Sequence, residues 1–256
     1  MTRLKQQPIE KELFEGCEST THVWQLPLQV DSEQSKYLAS LLSADEKQRA
    51  QRFHFEKHRY RFIAAHGQLR LILSDYLNCS AQALKFIENE FGKPYLEHKP
   101  LFFNLSHSHE LALLAVNARL DLGVDIEWKG REIDYLQIGQ RFFSENEYKE
   151  LASLPEHLQR EGFFNCWTRK EAYIKAVGEG MRIPLGQFEV SLKPDDPVRL
   201  LSTAHNPQAL KVWKLVAIDV ASEYVAALAI HKQGGDYHLF NITGIFAKND
   251  LQGGKS

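Results

Sequence analysis

Cysteine is scarce in this chain: Cys17, Cys79 and Cys166 are odd in number and far apart. Such spacing supplies neither a disulfide framework nor the close ligand pairs of a zinc site. No stretch approaches the roughly 18 uninterrupted apolar residues of a membrane span. Residues Met1 to Gly16 are charged and mixed, without the apolar centre of a signal peptide. A cytoplasmic protein with no membrane contact is therefore expected. Neither sign of charge dominates, because 31 Lys and Arg stand against 33 Asp and Glu, a net charge of −2. Nothing in that balance advertises a nucleic-acid partner. What is present is ordinary for a soluble globular chain: 43% hydrophobic and 25% charged residues over 256 positions. That length buries a sizeable core in one large domain or two small ones.

The order of elements repeats once along the chain. Ser43-Ala44-Asp45-Glu46 and Ser144-Glu145-Asn146-Glu147 each fit the capping box of a helix start. A second helical stretch follows each, around Tyr60 to Leu73 and from Thr168, read as a helix start, to Val177. A strand precedes each unit (His22 to Leu28, Leu120 to Trp128), and β-rich sequence follows it (Phe102 to Asn117; Gln187 to Leu192 with Val212 to Ile230). The pattern predicts an α+β fold of two similar α/β subdomains, residues 1–118 and 119–235, with a peripheral tail at 236–256. Within that tail, Tyr237 to Phe246 could add a strand.

The chemistry concentrates in two segments. Gly123-Val124-Asp125-Ile126-Glu127-Trp128 reads as a strand, and its period of two puts Gly123, Asp125 and Glu127 on one face. Two carboxylates at i and i+2 repel each other, a repulsion that a bound cation removes. About forty residues on, Trp167-Thr168-Arg169-Lys170-Glu171-Ala172-Tyr173-Ile174-Lys175 reads as a helix. It puts Trp167, Glu171 and Lys175 on one face at i, i+4 and i+8. In isolation Glu171 and Lys175 would be a common surface ion pair. Together with the strand they offer three carboxylates and an ammonium, the oxygen-rich set that suits Mg²⁺ with room for substrate phosphates.

Further candidates surround this set. From Ser43 to Arg70 the basic residues Lys47, Arg49, Arg52, Lys57, Arg59, Arg61 and Arg70 outnumber Asp45, Glu46 and Glu56, with His54, His58 and His66 interspersed. That is either a solvated helix face or an anion site. Phe91-Gly92-Lys93-Pro94-Tyr95 reads as a turn, with Pro94 fixing φ and Gly92 free to adopt positive φ. Leu101 to His109 runs from an apolar strand into a polar corner that presents Ser106 and His107.

In order and rough spacing, four of these blocks resemble the signature of the 4′-phosphopantetheinyl transferases, in the long, pseudo-dimeric type named for surfactin synthetase activation. They are Gly92-Lys93-Pro94, Phe103 to Ser108, Gly123 to Glu127 and Trp167 to Lys175; Arg141 to Tyr148 fits a fifth. The resemblance spans roughly residues 40–190. It implies two α/β halves related by a pseudo-twofold axis, facing each other across a cleft that takes coenzyme A and Mg²⁺. It implies transfer of the phosphopantetheine arm of coenzyme A to a serine of an acyl or peptidyl carrier protein, releasing adenosine 3′,5′-bisphosphate. The family's metal carboxylates fall on Asp125, Glu127 and Glu171, and its helix lysine on Lys175. Its coenzyme A contacts fall on Lys93, Pro94, Ser106 and His107, with Arg49, Lys57 and Arg61 as phosphate contacts. One departure is that Glu46 stands where some members carry a lysine.

Lys175 would then stabilise or protonate the leaving oxyanion, and Glu171, Glu147 or a metal-held water would take the serine proton. A site assembled within one chain implies a monomer. The carrier's pathway (fatty acid, polyketide, nonribosomal peptide or lysine) stays open, because docking surfaces carry no motif. Two alternatives remain: a Mg²⁺-dependent nuclease or phosphodiesterase, which needs a basic and aromatic groove, and an inactive carrier-protein-binding module, which would tolerate loss of the acidic cluster.

Overall fold

The computed structural model describes residues 20–242. The charged N-terminal segment, Cys17 and the end of the expected tail strand lie outside the described residues. The first half opens with β1 (Thr21–Pro27) and α1 (Ser32–Leu41). The first capping box then starts α2 (Ala44–Gln51): Glu46 N donates to Ser43 Oγ, and Ser43 N donates to Glu46 Oε2 at 2.8 Å. Long helix α3 (Glu56–Tyr76) follows, then strands β2 (Phe86–Glu88), β3 (Pro94–Leu96), β4 (Phe102–Ser108) and β5 (Leu111–Asn117). The second half runs β6 (Leu122–Trp128), α4 (Tyr135–Phe142), α5 (Glu145–Ser153), α6 (Glu156–Val177), β7 (Phe188–Val190), β8 (Leu200–Thr203), α7 (Ala209–Val212), β9 (Trp213–Ala217) and β10 (Tyr224–His231). The fold is α+β, with a sheet and a long helix in each half.

One four-stranded sheet has the order β11-β1-β5-β4, where β11 is Tyr237–Asn241. Strand β11 runs parallel to β1 with Val23 opposite Leu239, and Ile242 behind it is fully buried in the first core. Residues 237–242, expected at the periphery, therefore belong to the first half's sheet. Alternating apolar residues, with Tyr237 and Leu239 packed on one side of β11 and Phe240 on the other, draw the strand inward. The second sheet has the order β6-β10-β9, all antiparallel.

Three clusters of buried side chains hold these parts together. The first lies between α1, α3 and one face of the first sheet, around Leu38, Leu69, Ile72, Leu26 and Leu114. The second packs α4, α5 and α6 against the second sheet through Phe163, Phe164, Tyr173 and Phe188. The third joins the two sheets: Val23, Leu113 and Ala115 from one meet Val124, Ile126, Ala226 and Leu228 from the other. Val124 and Ile126 thus bury on one side of β6, as period two predicts, leaving Gly123, Asp125 and Glu127 toward α6.

Helix α6 opens at Glu156, well before Thr168, which is an interior residue. Its hydroxyl donates to Phe164 O at 2.8 Å, a back-bond that satisfies it inside the helix. The helix lies close on β6 because Gly123 has no side chain. A Cβ there would stand 2.2 Å from Ala172 O and 2.3 Å from Ala176 N. Among the described residues, no helix is long and apolar enough to cross a membrane.

Candidate active site

The edges of the two sheets meet at β4 and β6, and side chains make the junction. Polar residues recur at every second position of β4. Asn104 Oδ1 accepts from Val124 N at 2.8 Å, Ser106 Oγ donates to Asp125 Oδ1 at 2.8 Å, and Ser108 Oγ donates to Glu127 Oε2 at 2.7 Å. Ser108 Oγ also accepts from Trp128 N at 3.0 Å. Asn104 and Ser108 had no assigned role in the sequence, although their spacing of two alongside Ser106 was visible there. Strand β4 continues through Ser108, so Ser106 and His107 sit within it, and the corner falls at His109, whose φ is 54°.

Lys175 closes the arrangement from α6. Its ammonium donates to Asp125 Oδ1 at 2.6 Å and to Ser106 Oγ at 3.0 Å. Asp125 is 4% exposed and its second oxygen, Oδ2, is buried with no hydrogen-bond partner. An orphaned carboxylate oxygen is costly unless something binds it. Burial first, and then the charge of Asp125, push the Glu171 carboxyl above the usual carboxylate range. Burial and Asp125 likewise raise Glu127, which keeps a hydrogen bond from Ser108 and an ion pair with Arg131 at 3.5 Å. Carboxylates crowded in this way suit a hard cation. Among the described residues, however, no group of three His, Cys, Asp or Glu side chains closes tightly enough to hold a metal alone. Mg²⁺ tolerates this, because it usually takes one or two carboxylates and fills its octahedron with water and substrate phosphate.

The basic flank comes from the first half. His107 is exposed; partial desolvation, then its neighbour His66 and the positive charges of Lys175 and Arg61, lower its pKa. His66 stacks on Phe62 at 4.0 Å between ring centroids, and the Arg49 guanidinium lies 5.5 Å from the centroid of the same Phe62 ring. Arg61 reaches Glu110 at 3.6 Å. Lys57 sits over Phe55 at 6.0 Å, one turn before Arg61 on the same helix face. Glu46 serves the fold, since its Oε2 accepts from Arg70 Nε at 2.6 Å as well as from Ser43 N. Burial would raise this carboxyl, but the His66 ring at 3.5 Å and hydrogen bonds from Ser43 and Arg70 bring it down to about 2.

Four further candidates from the sequence, Glu147, Lys93, Pro94 and Trp167, have neighbours of their own. Glu147 is 3% exposed in the second core, where its oxygens take Lys170 Nζ at 2.7 Å, Ser144 N at 2.9 Å and Val190 N at 2.8 Å. None of these bonds leads to Asp125, so Glu147 is not in position to act as the base. Lys93 gives its ammonium to Asp121 Oδ1 at 2.9 Å, Ala176 O at 3.1 Å and Leu122 O at 3.2 Å. With three donors and three acceptors it has none left for a phosphate. Pro94 opens β3, opposite Glu88, after the turn at Gly92, whose φ is 84°. Trp167, predicted on the face of Glu171, stacks on Phe163 with Phe142 and Phe143 beside it. Of the cysteines, Cys79 is exposed and Cys166 buried, both as free thiols.

Residues 121–229 match the 4′-phosphopantetheinyl transferase superfamily, and residues 29–119 match the N-terminal domain of a 4′-phosphopantetheinyl transferase. HetI of Nostoc sp., a 4′-phosphopantetheinyl transferase, is 40% identical over 82% of this chain and 86% of its own. The chain belongs to the 4′-phosphopantetheinyl transferase superfamily. Gsp of Aneurinibacillus migulanus is 37% identical over 64% of this chain and 67% of its own. Sfp of Bacillus subtilis, at 29%, covers 73% and 83%. The solved holo-[acyl-carrier-protein] synthase of Thermotoga maritima gives a partial likeness, with a TM-score of 0.36 and 18% identity over 44% of this chain and 62% of that one. As a phosphopantetheinyl transferase the chain moves the 4′-phosphopantetheine arm of coenzyme A to a carrier protein. Neither the nuclease nor the inactive-module reading finds support in these likenesses.

Proposed function

We propose that transfer takes place where β4, β6 and α6 meet, on the cleft side of Asp125, Glu127, Glu171 and Lys175. The observation that carries this is the junction of Ser106, Asp125 and Lys175 within 3.0 Å of one another, from three elements and both halves. The serine hydroxyl of the carrier attacks the phosphorus that bears pantetheine. An oxygen–phosphorus bond forms, the pyrophosphate bridge breaks, and adenosine 3′,5′-bisphosphate leaves. Such chemistry needs positioning and charge neutralisation more than covalent help.

Of the candidate carboxylates Asp125, Glu127 and Glu171, Asp125 with one of the two glutamates would hold Mg²⁺, the unpartnered Asp125 Oδ2 being the readiest donor. The ion, when bound, neutralises pyrophosphate charge. Lys175 supplies a fixed positive charge to the leaving phosphate oxygen. Glu171, or a water held beside it, would accept the serine proton. His107, Arg61 and Arg49 face the coenzyme's phosphates, and an arginine fork suits the ribose 3′-phosphate.

Intact-mass measurement of apo carrier proteins with coenzyme A and Mg²⁺ tests the proposal by the added phosphopantetheine. Asp125→Ala and Glu171→Ala should abolish that gain while leaving the fold intact. Near-normal turnover of both at low Mg²⁺ would refute the metal assignment. The partner is an acyl or peptidyl carrier protein, and the enzyme works as a cytoplasmic monomer. Arg49 and His107 lie before residue 119 and Asp125, Glu171 and Lys175 after it, so one chain supplies both sides of the site. Sedimentation of the intact protein at about one chain mass is expected; an obligate trimer would contradict it.

A further inference from the structure

The turn between β2 and β3 belongs to the first half, yet two of its side chains end on the last turn of α6 in the second. Asn89 Oδ1 accepts from Phe91 N and Lys93 N, each at 2.9 Å, which shapes the turn. Its amide Nδ2 donates to Gly178 O at 2.8 Å. Lys93 Nζ donates to Ala176 O from the same side. The last four carbonyls of a helix lack intrahelical donors, and the helix dipole makes that end negative. An ammonium and an amide from a distant loop fill that deficit here. The turn also packs directly on the helix end: a Cβ at Gly178, whose φ is 78°, would lie 3.0 Å from Lys93 Cδ.

The same ammonium binds Leu122 O and Asp121 at the start of β6. One side chain thus ties the end of α6 to the strand that carries Asp125 and Glu127. Lys175 immediately precedes the capped Ala176. We propose that Asn89 and Lys93 are positioning residues that fix the last turn of α6 against β6 and thereby hold Lys175 on Asp125 and Ser106. The inference rests on the active-site reading above and gives the glycine–lysine–proline turn a role other than phosphate contact.

Two variants test it. Lys93→Met removes the ammonium; Asn89→Asp keeps the acceptor that shapes the turn, removes the donor to Gly178 O and sets a negative charge against that carbonyl. Wild-type modification of an apo carrier is measured first, and its failure would count against the active-site reading alone. Amide hydrogen exchange over residues 174–178, taken without substrate, should quicken in both variants whatever the activity. Both should lose about tenfold in kcat, since a misplacement of about 1 Å can cost on the order of a hundredfold and a smaller one less. KM for coenzyme A should stay within about twofold, and the preference over 3′-dephospho-coenzyme A should not change. A raised KM with a lost preference would make Lys93 a phosphate contact and overturn the proposal. Unchanged exchange, or unchanged kcat with faster exchange, would overturn it as well.

Discussion

Glu147 offers a sharp separation between structure and catalysis. Its carboxylate and the Lys170 ammonium are 2.7 Å apart, and their side chains are 3% and 0% exposed. Lys170 also donates to Leu185 O and Phe188 O and lies 4.3 Å over the Phe188 ring. Lys170→Met would leave Glu147 charged in the core with only the Ser144 and Val190 amides. Glu147→Gln would leave the ammonium with carbonyls alone. Removing one partner of a buried pair costs about 3–5 kcal/mol. For a chain of this size that lowers Tm by roughly 10 °C. The double variant replaces both charges with neutral groups of similar shape and should recover much of the loss, so the cycle yields a large coupling energy. Urea unfolding gives the stabilities, and turnover measured well below the lowered Tm gives the chemistry. Glu147→Gln should be less stable yet retain kcat in the cold. A variant of wild-type stability with lost turnover would refute this reasoning and restore Glu147 as the base.

Gly123→Ala should destabilise by about 3 kcal/mol or more and abolish transfer, because its methyl would meet Ala172 O and Ala176 N at 2.2 and 2.3 Å and force β6 from α6; an unchanged urea midpoint would contradict the close approach. His22 is 2% exposed and bonded to the Tyr76 hydroxyl; burial, then His238, lower its pKa from 6.5 to about 4. The folded state therefore stays neutral where the unfolded chain takes up a proton, so stability falls as pH drops from about 6.5 to about 4. His22→Gln should flatten urea midpoints over that window and leave the lower window of Glu46 untouched; equal slopes in both proteins would remove His22 as the cause.

What the sequence disclosed and what it hid follow from the range of each interaction. The alternation of β6 and the capping boxes at Ser43 and Ser144 are local patterns, and the structure contains them as read. Asp125 beside Lys175 was legible for the same reason, since two periodicities each select one face and α/β packing brings the faces together. Lys93 was not legible. Two of its three acceptors are main-chain carbonyls, Leu122 O and Ala176 O, which carry no residue signature and lie far along the chain. Thr168 misled because a hydroxyl that suits a helix start is equally satisfied by a back-bond inside a helix.

Glu147 shows how two correct local readings can compete for one side chain. The capping box alone commits one of its oxygens to Ser144 N, leaving a single oxygen for any catalytic role. That second oxygen is taken by Val190 N, and Lys170, whose neighbour Glu171 lies near Asp125, supplies the countercharge from helix α6. Lys170 and Glu171 are adjacent, and the turn of about 100° per residue sends one into the core and the other toward Asp125. A carboxylate already committed to a cap and to a buried lysine stabilises the half that carries the site. The carboxylates left raised or unpartnered, Glu171, Glu127 and Asp125, are the ones whose cost a bound cation would offset.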